Sequence, residues 1–137
     1  MESEGVAVIR VLVVDDHHLV RHWVSGMLRA ADGIDVVGEC ADGSEVSAVA
    51  GLVRPDVVIM DFRMPVMSGT EATRRLMAGG PATRVLMLTG STSPRMLRDA
   101  EEAGVCGYLV KDGNPDVLVD AVRTVAAGGT VWPQSAR

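Results

Sequence analysis

The chain has 137 residues, the size of one domain, with 47% hydrophobic and 23% charged residues, which excludes a multi-domain assembly and an intrinsically disordered chain. Thirteen Lys and Arg against 18 Asp and Glu leave a net charge of -5, with no basic stripe for DNA or RNA phosphates. No apolar run reaches the roughly 18 residues of a bilayer span, and Met1–Gly5 is acidic and polar, unlike a secretory leader, so a cytoplasmic protein without membrane contact is expected.

The first apolar run, Val11-Leu12-Val13-Val14, has the length of a strand. Leu19, Val20, Trp23, Val24, Met27 and Leu28 then recur with helical spacing, which predicts a helix with a core-facing stripe. Val36-Val37 and Val57-Val58-Ile59-Met60 read as the second and third strands. Ser68-Gly69-Thr70-Glu71 reads as a capping box, in which the Ser68 hydroxyl and the Glu71 carboxylate satisfy backbone N–H groups at a helix start. Gly79-Gly80-Pro81 would stop that helix before a fourth strand, Val85-Leu86-Met87-Leu88.

Ser93-Pro94 and Asn114-Pro115 each offer a side-chain cap followed by Pro at the first helical position, and Gly104 and Gly128-Gly129 offer stops. Tyr108-Leu109-Val110 is the fifth strand. Val117, Leu118, Ala121, Val122, Val125 and Ala126 repeat the core-facing spacing in the last helix, which ends near Ala127. The fold class is therefore α/β, a doubly wound five-stranded parallel sheet with helices on both faces. Cys40 and Cys106 lack a CxxC or His neighbour and read as buried small hydrophobes, and the eight Met read as core fillers with Met64 near the site.

In open parallel sheets, ligands bind at the carboxyl ends of the strands. The polar residues that follow the apolar runs here are Asp15 and Asp16, Asp61, Thr89 and Lys111. Should the first and third strands be neighbours, three carboxylates converge, and two unit charges ~4 Å apart repel by about 4 kcal/mol at an effective dielectric near 20. A cation is needed there. All donors are hard oxygens, so Mg²⁺ is preferred over zinc, and Mg²⁺ on one or two carboxylates commonly serves a phosphoryl group. Lys111 is the sole Lys beside twelve Arg, a point charge suited to a phosphoryl oxygen.

With Val13-Val14-Asp15-Asp16-His17, Asp61-Phe62-Arg63-Met64-Pro65-Val66-Met67-Ser68-Gly69, Leu88-Thr89-Gly90 and Gly107-Tyr108-Leu109-Val110-Lys111, the chain resembles the receiver domain of two-component response regulators. The resemblance implies a flavodoxin-like (β/α)5 fold with strand order 2-1-3-4-5 over residues 8–129. It implies that Asp61 is the phosphoacceptor, that Asp16, Asp61 and the backbone carbonyl of Arg63 hold Mg²⁺, and that Asp15 acts through a bound water. Lys111 and Thr89 would bind the phosphoryl group, with Thr89 and Tyr108 forming the switch. The protein would be a signalling switch with at most slow self-phosphorylation and dephosphorylation, not an enzyme with turnover.

Ile34-Asp35-Val36-Val37-Gly38-Glu39 and Val125-Ala126-Ala127-Gly128-Gly129-Thr130 resemble the LuxR/NarL class. That class implies a sensor histidine kinase as phosphodonor, a homodimer formed on phosphorylation, and DNA contact through a helix-turn-helix domain reached by a linker starting at residues 130–137. The pattern departs at Val66, where Gly is common, and at Asp112, where Pro is common; Arg63 and Ser91 border the phosphoryl site. His17, His18 and His22 read as helix-start and exposed-face residues. A stand-alone or degenerate receiver acting by protein contact is the alternative. A haloacid-dehalogenase-type phosphatase fits less well, because Arg63 stands where its second Asp belongs, and a flavodoxin-like binder fails because Asp15-Asp16 would repel an anion.

Overall fold

The structure, a computed structural model, describes residues 7–80 and 82–133. The acidic start Met1–Gly5, the stop at Pro81 and positions 134–137 of the expected linker lie outside the described residues. Five strands alternate with five helices: β1 (Ile9–Val14), α1 (His18–Arg29), β2 (Ile34–Cys40), α2 (Val46–Val53), β3 (Val57–Met60), α3 (Gly69–Ala78), β4 (Arg84–Thr89), α4 (Pro94–Ala103), β5 (Gly107–Val110) and α5 (Pro115–Ala126). All sheet pairings are parallel and the order is β2-β1-β3-β4-β5.

The alternation of side chains along each strand explains the two cores. Leu12 and Val14 of β1, Val58 and Met60 of β3 and Met87 of β4 pack with α2, α3 and α4 on one face. Val11, Val13, Val57, Ile59, Leu86 and Leu88 pack with α1 and α5 on the other. The central strands carry no solvent face, which is why their sequences are unbroken apolar runs.

Helix punctuation follows the expected side chains. Ser68 Oγ accepts from the Glu71 N–H, Ser93 Oγ from the Met96 N–H, and Asn114 Oδ1 from the Asp116 N–H. The reciprocal half of the expected capping box is absent: the Glu71 carboxylate faces Arg74 and Arg75 at 3.6 and 3.2 Å, because two cations one turn along the helix attract it more than one N–H does. Gly104 ends α4 in the left-handed conformation with φ at +103°.

The core-facing stripes are narrower than the apolar spacing predicts. In α1, Val24 and Leu28 are buried, but Leu19 is 79% and Trp23 42% exposed; in α5, Val117 is 42% exposed. The line 19-23-27 lies beside the line 20-24-28 that meets the sheet, and runs toward the β5–α5 loop, where the Trp23 ring approaches Gly113. Of the cysteines, Cys40 is buried and burial pushes its thiol up to about 11, fitting an inert core residue. Cys106 is only half-buried, since it precedes β5 at the sheet edge. Met60, Met64, Met87 and Met96 are buried, and Met27, Met67 and Met77 pack against the cores. Among the described residues no helix is long and apolar enough to cross a membrane.

Candidate functional site

Strand register places the acidic residues. Val14 pairs with Met60, so the next residue of each strand, Asp15 and Asp61, emerge side by side at the carboxyl edge. Backbone bonds extend past the strand ends and hold them there: the Asp15 N–H donates to the Cys40 carbonyl at 3.1 Å and the Asp61 N–H to the Val14 carbonyl at 3.0 Å. The Lys111 N–H likewise donates to the Thr89 carbonyl at 2.7 Å, which fixes the end of β5 against β4. Three strand-end bonds thus fix Asp15, Asp61 and Lys111 at the carboxyl edge of the sheet.

Asp15 and Asp61 are buried. Lys111 Nζ reaches over from β5, 2.8 Å from Asp15 Oδ2 and 3.5 Å from Asp61 Oδ1. Asp16 Oδ1 is buried and accepts no well-formed hydrogen bond among the described residues. Thr89 is buried at the end of β4. The Arg63 side chain turns outward and its guanidinium meets Met96 Sδ of α4 at 3.9 Å. Ser91 and Val66 are exposed, and the Asp112 carboxylate accepts from the Asn114 N–H. Every peptide bond among the described residues is trans, including Lys111–Asp112.

His17 stands at the start of α1 as the sequence predicts, but its side chain also faces the acidic cluster. It caps α1 without a side-chain cap bond, and its ring turns back so that Nδ1 lies 3.2 Å from Asp15 Oδ1 and 3.3 Å from Asp16 Oδ1. One donor atom each from Asp15, Asp16, His17 and Asp61 lies within 4.8 Å of the others. The position directly after an acidic pair at a strand end was the available signal. His18 and His22 instead stack on the exposed side of α1.

Burial pushes the Asp61 carboxyl up to about 6, with the Asp15 charge acting the same way and Lys111 opposing. The donor set therefore fits a hard dication: three carboxylates in a confined space, one of them with an orphaned buried oxygen and one destabilised as an anion. A raised folded pKa means that the native state binds the proton more tightly than the unfolded chain. This stability is fully present below about 3.8 and is lost as pH rises through about 6. In chelator, Asp61→Asn is expected to be more stable than wild type by about 1–2 kcal/mol at pH 7.5, less than the full shift implies because the amide also loses its attraction to Lys111. Urea unfolding of both proteins at pH 4.5 and 7.5 checks this. The gap should close at the lower pH and shrink when Mg²⁺ replaces chelator; an equal gap at both pH values would refute it.

Tyr108 lies on β5, the strand next to Thr89. Met87 pairs with Tyr108 and Thr89 lies two residues beyond Met87, so Thr89 and Tyr108 share one face of the sheet. Tyr108 is fully buried. Burial holds its phenol above the ordinary pKa, against smaller opposing effects of the Thr92 hydroxyl and the Arg63 guanidinium.

Comparison with known proteins is consistent over most of the chain. Residues 11–123 match the model of the response regulator receiver domain. The chain is 38% identical over 125 residues to the transcriptional regulatory protein LnrK of Bacillus subtilis (strain 168), covering 91% of this chain and 57% of that protein. It thus spans a little over half the length of such curated relatives. Among solved structures, the signal receiver domain of NarL from Mycobacterium tuberculosis superposes with a TM-score of 0.85 at 34% identity, covering 89% of this chain and 98% of that one. A LuxR-family two-component response regulator from Aurantimonas sp. SI85-9A1 gives 0.89 at 32% identity, covering 95% and 93%.

Proposed function

The chain belongs to the receiver domain family of response regulators, with LuxR/NarL-class relatives, and from that premise we propose that it is a phosphoryl-accepting switch acting through Asp61. Receiver domains are signalling switches, so the chemistry is a single transfer that leaves a covalent mark. An Asp61 carboxylate oxygen attacks the phosphorus of a phosphohistidine on a sensor histidine kinase. The new O–P bond forms as the P–N bond breaks, and the imidazole departs with the electron pair and takes a proton from solvent.

The observation that carries this reading is the bridging ammonium of Lys111, 2.8 Å from buried Asp15 and 3.5 Å from buried Asp61, in a cluster completed by the partly exposed Asp16. Phosphoryl transfer needs in-line positioning and neutralised oxygen charge more than a strong acid or base. Asp16, Asp61 and the Arg63 carbonyl would hold Mg²⁺, with Asp15 acting through a water; when bound, the ion neutralises oxygen charge on the phosphoryl group. Lys111 exchanges part of its contact with Asp15 for a phosphoryl oxygen. The Thr89 hydroxyl binds another, and Tyr108 fills the space behind it, which links the site to the surface of α4, β5 and α5.

The same reading assigns residues 8–129 to the receiver and 130–137 to the start of a linker. In it the chain is the cytoplasmic receiver of a longer regulator that dimerises on phosphorylation and contacts DNA through a C-terminal helix-turn-helix domain, which the parent reading frame would reveal. The direct test is intact-mass analysis after incubation with acetyl phosphate. A phosphoryl adduct that forms with Mg²⁺, not with chelator, and is lost in alkali is expected. No adduct, together with no beryllofluoride complex, would overturn the proposal and leave a degenerate receiver.

A further inference from the structure

The chain beyond α5 does not leave the domain at once. Gly128, with φ at +97°, turns it, and the Gly129 N–H donates to the Thr124 carbonyl at 2.9 Å. Val131 then forms a parallel bridge with Gly107, and its carbonyl accepts the Tyr108 N–H at 2.7 Å. β5 is the last strand of the sheet, so this N–H points outward and would otherwise lack a protein partner. Gly107 lets β5 seat closely on its neighbours: a Cβ there would lie 2.8 Å from Leu86 Cδ1 and 3.1 Å from Val125 Cγ2, whereas the Val131 carbonyl oxygen, at 3.4 Å, would be in ordinary contact.

The next residue, Trp132, stacks on Tyr108 with ring centroids 6.3 Å apart and planes at 19°. Tyr108 is fully buried whereas Trp132 is half-buried, so the indole forms the outer layer over the phenol ring. Beneath it, the buried Tyr108 hydroxyl faces the buried Thr92 hydroxyl, but neither makes a well-formed hydrogen bond among the described residues. A pair of hydroxyls so weakly matched adds little to hold the ring inward. Packing must therefore hold it there, and Trp132, which packs against the core cluster that contains Tyr108, supplies the outer part of that packing.

We propose that Trp132 is a positioning residue for the switch, holding Tyr108 inward behind Thr89, and that the Val131–Trp132 segment follows the state of Tyr108. This rests on the phosphoryl-accepting reading of Asp61. The ring cannot move outward without displacing the indole, and the backbone bond from Tyr108 to Val131 ties the segment to the same residue. A phosphoryl group that draws Thr89 in and favours inward Tyr108 also favours the docked segment, and by linkage the docked segment favours the phosphoryl group. Anything attached after residue 133 would feel whether the segment is docked.

The test uses beryllofluoride with Mg²⁺ on the whole chain. In a Trp23→Phe background Trp132 is the one remaining Trp. Beryllofluoride is expected to shift its emission and to slow hydrogen exchange of the Tyr108 amide, and Tyr108→Ala should abolish the emission shift. Trp132→Ala should weaken beryllofluoride binding about two- to tenfold, the range of a lost aromatic pair, while Trp132→Phe restores it. The fluorescence and exchange arms do not depend on the fold of Trp132→Ala. A chain that binds beryllofluoride with no change in Trp132 emission or Tyr108 exchange overturns this proposal alone. A wild-type chain that binds none overturns it together with the reading of Asp61.

Discussion

Asp61→Asn is expected to take up no phosphoryl group from acetyl phosphate, and Lys111→Ala to take it up about 10²- to 10³-fold more slowly, as when a preorganised charge-stabilising donor is removed. The amide keeps the shape of the carboxylate but presents no anionic oxygen to phosphorus. Lys111 is the side-chain cation placed between Asp15 and Asp61, so its loss removes the charge that meets the phosphoryl oxygens and leaves two carboxylates facing each other. It also removes a group that holds the Asp61 pKa down, so the nucleophile becomes less ionised near neutral pH and the residual rate should rise more steeply with pH. Lys111→Arg should not restore the rate, because the guanidinium fork cannot occupy the same point. Time courses of intact mass at fixed Mg²⁺ read all three variants. An adduct on Asp61→Asn at the wild-type rate would show that another residue is the acceptor.

What was legible in the sequence was whatever the strand ends dictate. Asp15, Asp61, Thr89 and Lys111 directly follow apolar runs whose only stable home is a parallel sheet buried on both faces, so the sheet edge gathers them. Less legible was what covers each apolar residue. The spacing of Leu19 and Trp23 is indistinguishable from that of Val24 and Leu28, because periodicity defines an arc of the helix and not the width of the surface beneath it. Contacts through sequence-distant partners were least legible. Gly128-Gly129 correctly signals the end of α5, yet nothing local says that the next residues return to the edge of β5 and that Trp132 meets Tyr108. His17 reads from the sequence as a helix-start residue, and it does precede α1, but helix position says nothing of the ring, which turns back toward Asp15 and Asp16.

Gly69→Ala should be the most damaging small substitution near the site. Gly69 opens α3, follows the Ser68 cap, and donates its N–H to the Phe62 carbonyl at 2.8 Å. A Cβ at this position would fall well inside van der Waals contact with the backbone carbonyl oxygen of Asp61, and 3.1 Å from Met60 Cγ. A carbonyl oxygen cannot swing away like the end of a flexible side chain, so either the start of α3 or the peptide of Asp61 itself must move. The expected cost is about 2–3 kcal/mol of stability, as for overpacking in a close-packed core. Displacing the nucleophile by about an ångström should in addition slow phosphoryl uptake ~10²-fold in the molecules that remain folded. Gly51→Ala is the matched comparison: it lies within α2 with open space around its Cβ, and should stabilise the chain by about 0.5–1 kcal/mol. Urea midpoints give the stabilities, and adduct rates normalised to the folded fraction give the chemistry. If Gly69→Ala matched wild type in both, the close seat of α3 on the Asp61 peptide would have no part in placing the nucleophile.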